Sequence, residues 1–157
     1  MEDLAKRRAG DAQFLFIYTR EAHPGENYPP HQYYEQKLLH ARSFRKRLTI
    51  ERPIAVDSLQ GKTHRLYGGV SNMSWIIDHT GRVAYRAAWT VAGDIERALD
   101  EIVESRELKR SGRTAATFYR EMVGLRPQRA PAEGLPRFMG GEVAARQFEE
   151  AKRLSNR

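Results

Sequence analysis

Apolar and polar positions along the chain fall into short runs separated by turn-forming residues, and the period of each run predicts its element. Residues 14–19 (Phe14, Leu15, Phe16, Ile17, Tyr18, Thr19) are a continuous apolar and aromatic stretch of strand length, the pattern of a strand covered on both faces. Over residues 32–48, Tyr34, Leu38, Ala41 and Leu48 recur at helical spacing while Lys37, Arg42, Arg45, Lys46 and Arg47 lie mostly outside the stripe, which predicts an amphipathic helix. Residues 53–57 read as a short buried strand, and 62–67 as a short helix stopped by Gly68-Gly69. Residues 74–78 and 82–86, joined by His79-Thr80-Gly81, predict a hairpin. Residues 94–107 predict a helix with Asp94 as its N-cap and Ile95, Leu99, Ile102 and Val103 on its apolar face. A charged, helix-compatible segment at 2–8 precedes all of these. The order implies an α/β protein with one mixed sheet, parallel in part, flanked by helices.

Beyond residue 107 the pattern changes. Prolines and glycines from Gly124 to Gly141 divide the tail into a predicted helix over 114–123, a loop, and a helix over 142–154. The expected organisation is therefore a domain over 1–107 followed by a basic, mostly helical extension over 108–157. Charge supports the division: residues 1–103 carry a net +2 and residues 104–157 a net +5 of the total +7. The tail interleaves Arg106, Lys109, Arg110, Arg113, Arg120, Arg126, Arg129 and Arg137 with Phe118, Tyr119 and Phe138, a composition that could contact nucleic acid. Acidic residues interrupt it throughout, so helical packing of Phe118, Met122 and Leu125 is the preferred reading and nucleic acid is not the expected partner. No apolar run reaches the length of a membrane span, and the N-terminus lacks a secretory pattern. A cytoplasmic location without a membrane partner is expected.

The chain contains no cysteine. Disulfides, zinc fingers, CxxC pairs and thiol nucleophiles are thereby excluded from these residues.

The run Phe14 to Thr19 followed by Arg20, Glu21, Ala22, His23 and Pro24 resembles the strand and Glu-Ala-His signature of the iodothyronine deiodinase family, a peroxiredoxin-related branch of the thioredoxin-like fold. Pro30-His31, Glu35 and Ala41-Arg42 resemble the family's next helix. Val56-Asp57-Ser58 resembles its following strand, and Tyr67 through Trp75-Ile76-Ile77 and Gly81 to Tyr85 its closing hairpin. The resemblance spans residues 4–103, about two-thirds of the chain. It implies a thioredoxin-like oxidoreductase with thiol- or selenol-dependent chemistry, acting on a small molecule or a thiol. It also implies active-site roles for Tyr18 and Glu21, substrate binding by His23 and proton transfer by His31. Two positions depart from the pattern. Trp89 stands where the family has a substrate-holding arginine, and Ser71 where many thioredoxin-like proteins have proline; both fall on the substrate-facing side.

The family's nucleophile and the strand before it have no counterpart here. Without a thiolate or selenolate the family's reaction is not expected from these residues, because a hydroxyl is neither polarizable nor acidic enough to replace one. The absent strand is central in the family's sheet, so two apolar edges would be left unpaired. A start codon placed too late, a strand donated by another chain (a second copy or another protein), or closure of the two edges on each other would resolve this. The first is favoured because the chain begins inside a predicted helix. A non-catalytic domain that binds a protein through its sheet edge or basic tail is the alternative function.

The residues themselves offer limited chemistry. Glu21 and His23 follow a buried strand, where α/β folds commonly place functional groups, and a carboxylate two residues from an imidazole can orient it and raise its pKa. A solvated surface turn is the plain alternative. His31, near the start of a helix, is placed for a neutral relay role. Glu21, His23, Glu26 and His31 could in principle be gathered around a metal, but no HxxxH or HExxH spacing exists, and neither metal nor organic cofactor is implied.

Overall fold

The structure is a computed structural model, and it describes residues 1–21, 24–114, 116, 120 and 135–155. In chain order the elements are α1 (Glu2–Arg7), β1 (Phe16–Tyr18), α2 (Tyr34–Arg47), β2 (Ile54–Val56), α3 (Lys62–Leu66), β3 (Ser74–Ile77), β4 (Val83–Ala87), α4 (Ala92–Arg110) and α5 (Leu135–Ser155). The protein is of mixed α/β type. Among the described residues the strands form two separate two-stranded sheets.

The first sheet pairs β1 and β2 in parallel, with Phe16 opposite Ile54, Ile17 opposite Ala55 and Tyr18 opposite Val56. Parallel neighbours need a long crossover, and α2 supplies it. Ring contacts fasten α2 to β1, with Phe44 5.3 Å from Phe16 and 5.7 Å from Tyr18. The second sheet is the antiparallel hairpin β3–β4, with Ser74 opposite Ala87 and an irregularity between Ile76 and Ile77. Its turn is organised by Asp78, whose carboxylate accepts the Thr80 amide (2.8 Å), the Thr80 hydroxyl (2.6 Å) and the Arg82 amide (3.0 Å). Gly81 takes a positive φ of 83° there.

Two features of the strands differ from expectation. The first strand is three residues long rather than six, and Leu15 is 57% exposed, so the apolar run is not covered on both faces. The strands also do not join into one mixed sheet. Among the described residues each pair keeps open edges, and a two-strand ribbon cannot bury a continuous apolar run by itself.

The helices supply most of the core. Leu4 of α1 packs with Ile95 and Leu99 of α4, and Phe14, Ile76 and Tyr85 close around them. α1 carries Glu2 and Asp3 in its first turn and Lys6 and Arg7 in its last, an arrangement favourable to the helix dipole. Its basic end is also paired outward, Arg7 with Glu96 (2.8 Å) and Arg8 with Asp100.

α4 starts earlier than expected. Val91 is its N-cap, while Asp94 lies within the first turn and pairs with Arg97 (2.5 Å), so Asp94 does not cap the helix. On α2 the buried positions are Lys37 and Ala41, whereas Tyr34 and Leu48 are exposed, so the stripe is rotated towards a lysine that the apolar pattern leaves outside.

The predicted helix over 114–123 lies largely outside the described residues, and Thr114, Ala116 and Arg120, which are described, are not helical. The predicted helix over 142–154 is present as the second segment of α5, which breaks at Gly141 (φ 86°, ψ −166°). The Glu26 carboxylate accepts the amides of Glu142 (2.6 Å) and Val143 (3.2 Å) at the start of that segment. Ala144 is buried, and the Gly140 carbonyl lies so close to Gly25 that a Cβ there would overlap it. The end of the chain is thus docked on the loop that follows β1. No helix among the described residues is long and apolar enough to cross a membrane.

Candidate functional site

The β1–α2 crossover brings four polar side chains together just past the C-terminal end of β1. Tyr18 is the last residue of β1 and is buried; its carbonyl accepts the Asp57 amide at 3.0 Å, which carries the parallel pairing one residue further. Three residues on, Glu21 receives the Tyr18 hydroxyl as a hydrogen-bond donor to its Oε1. His31 comes from the turn that leads into α2, where the Gln36 side chain accepts the Gln32 amide (2.8 Å) and fixes the approach. His40 comes from α2 itself, three residues after the buried Lys37.

The two imidazoles converge on one carboxylate oxygen. His31 Nε2 lies 3.6 Å and His40 Nδ1 3.4 Å from Glu21 Oε1. The rings of His31 and His40 are 5.0 Å apart, and the Tyr18 ring is 5.8 Å from His31. Tyr28 stands edge-on to His40 at 5.0 Å, held by a 2.6 Å hydrogen bond between its hydroxyl and Ser43 Oγ. The Glu21 and His31 side chains are only 10% and 6% exposed. Among the described residues, neither His31 Nε2 nor His40 Nδ1 has a hydrogen-bond partner.

Burial dominates the electrostatics. It pushes the Glu21 carboxyl up to about 7, so a neutral acid and a carboxylate coexist near neutral pH. It pushes His31 down to about 4, helped by the positive potential of His40 and Lys37, and it lowers His40 as well. Both imidazoles are therefore neutral at pH 7, able to accept a proton, donate one from the other nitrogen, or bind a metal.

A second polar group braces this site from below. Burial disfavours the charge on Asp57, but the amides of His64, Thr63 and Ser58 outweigh that effect and hold its carboxyl at about 2. These bonds, at 2.8–2.9 Å, satisfy the first turn of α3. Lys37, 1% exposed, donates to the Ser58 carbonyl at 2.8 Å; burial lowers its pKa while the Asp57 charge opposes the shift.

Of the residues singled out from sequence, Tyr18, Glu21 and His31 are brought together. His23 lies outside the described residues. Ser71 and Trp89 are both exposed, on the loops at the open end of the hairpin that the Thr90 hydroxyl ties together by donating to the Asn72 carbonyl (2.8 Å). Neither is among the partners of Glu21, His31 or His40 described above. Glu26 is engaged with α5 and does not join them.

Sequence reasoning missed His40 and Lys37. His40 stands nine residues after His31, a separation that no helical ligand spacing announces. The available signal was the face of α2: Lys37, His40 and Ala41 fall at i, i+3 and i+4 and so must share a surroundings. Comparison of the chain with protein-family models, curated proteins and solved structures finds no match.

Proposed function

We propose that this chain supplies the proton-handling, substrate-facing portion of a thioredoxin-like redox domain resembling the deiodinases, with the reactive thiol or selenol coming from outside these residues. The observation that carries the reading is the convergence of Tyr18, Glu21 and His31 beyond the C-terminal end of β1. α/β folds bind and transform ligands at that end of their strands. Reduction of a disulfide, a peroxide or a carbon–halogen bond by a thiolate requires a proton for the departing group or carbon. A buried carboxyl hydrogen-bonded to a phenol and flanked by a neutral imidazole is suited to deliver it. In this reading β1–α2–β2 and β3–β4–α4 are two halves of one sheet, and the open edges of β1 and β3 take up the strand that brings the nucleophile.

The test is to supply that strand, from the in-frame DNA upstream of Met1 or from a cysteine-bearing partner, and to measure thiol-dependent turnover. The expected result is activity that falls roughly 100-fold or more in Glu21→Gln and His31→Ala, the size of a general acid–base contribution. Turnover indifferent to both substitutions would overturn the reading.

A second reading has its own observation. Leu15, Ile77 and Val83 are exposed on or beside strands with open edges, which suits a domain that binds a protein partner or a second copy by strand addition. Here a partner would slow amide exchange along β1 and β3 while no turnover accompanies it.

A further inference from the structure

We propose that Glu21, His31 and His40 form a binding site for a divalent transition-metal ion, their two imidazole nitrogens and one carboxylate oxygen being a donor set suited to zinc. One carboxylate oxygen and two imidazole nitrogens, from three different stretches of the β1–α2 crossover, lie within 4.8 Å of one another. The distances from Glu21 Oε1, 3.4 and 3.6 Å, are too long for good N–H···O hydrogen bonds, which cluster near 2.9–3.0 Å. They suit neighbouring ligands on a tetrahedral ion instead: metal–ligand bonds of about 2.0–2.1 Å set two such atoms about 3.3–3.4 Å apart.

The second observation concerns what else the two nitrogens meet. His31 Nε2 and His40 Nδ1 are buried, are the two nitrogens that face Glu21 and have no hydrogen-bond partner among the described residues. Buried polar atoms are nearly always satisfied, and a single cation at the common centre would satisfy both. A site with two nitrogens and one oxygen disfavours calcium and magnesium, which take oxygen donors.

The surroundings match what a metal site needs. The Tyr18 hydroxyl bonds to the carboxylate and would orient it, and Tyr28 packs on His40 and would hold its ring. Three protein ligands leave a tetrahedral zinc one position for water or a ligand donor atom. Metal binding does not depend on the redox reading. Where that reading holds, an ion on Glu21 competes with proton delivery and acts as an inhibitor.

The full chain, stripped with chelator, is titrated with zinc by calorimetry and with cobalt(II) by visible absorption. One ion per chain is expected, with the intense bands of four-coordinate cobalt and a higher melting temperature in zinc. Affinity should fall roughly tenfold or more in His31→Ala, Glu21→Gln and His40→Phe, the last of which retains an aromatic ring against Tyr28. His79→Ala, in the exposed hairpin turn, should bind as the parent does. Circular dichroism identifies any variant that fails to fold, and the parent's stoichiometry and cobalt spectrum then decide with the folded ones. Absence of binding in the parent, only the weak bands of six-coordinate cobalt, or binding that survives in every folded variant would overturn the proposal. None of these outcomes bears on thiol-dependent turnover, so the two readings fail separately.

Discussion

Asp57 and Lys37 decide more of the stability around the site than their single charges suggest. Asp57 accepts three amides at the entry to α3, so Asp57→Ala leaves buried donors unsatisfied and should cost about 2–3 kcal/mol in urea unfolding. Its pH dependence has a definite sign. The folded carboxyl sits at about 2, below its ordinary 3.8, so its contribution is present above pH 4 and is lost as pH falls through 2. Unfolding followed from pH 5 to pH 2 should show this loss in the parent, and Asp57→Asn should reduce the slope while leaving the share of Asp78, which is also held at about 2. Lys37 is buried, donates to the Ser58 carbonyl and lies near the Asp57 carboxylate. Replacement by methionine, which refills the volume, should cost less than replacement by alanine, whose cavity adds about 2 kcal/mol or more. An equal loss in both variants would show that the charge, not the packing, matters at this position.

Among the elements, α1 is small but carries a core residue. Leu4→Ala removes the centre of the α1–α4 contact and should destabilise by about 2–5 kcal/mol, whereas Arg7→Ala, which breaks an exposed ion pair, should cost under about 1 kcal/mol. Thermal melts of the two variants check the contrast. Most of these elements were legible in the sequence because each has a local cause: the hairpin its His79-Thr80-Gly81 turn, α1 its charged, helix-compatible segment, and the crossover helix an apolar spacing whose buried face is rotated towards Lys37. The exceptions are instructive. Asp94 looked like a cap because its residue type prefers that position, yet Ile95 is already donating its amide to Val91, so the helix is under way before Asp94 is reached. Glu21 was legible from its place after the strand, while Tyr18 and His31 were singled out through the resemblance to the deiodinases. His40 was not, since its partners come from tertiary folding of the crossover and leave no period in the chain.

At the scale of the whole molecule, each sheet packs on a different helix. The β1–α2–β2 unit packs around Phe16, Phe44 and Tyr18, while the hairpin packs on α4 through Ile76 and Tyr85. Both tryptophans, Trp75 and Trp89, belong to the hairpin side. Tryptophan fluorescence and far-ultraviolet circular dichroism should therefore give separate urea transitions, with Leu4→Ala shifting the fluorescence transition more. Coincident curves would indicate a single cooperative unit. The close approach of Gly25 to Gly140 adds an evolutionary constraint that runs the length of the chain. Position 25 cannot acquire a side chain unless the backbone at 140 moves away, so relatives with a bulkier residue in the first loop should show an altered path of the chain, such as an insertion or deletion, more than a hundred positions downstream.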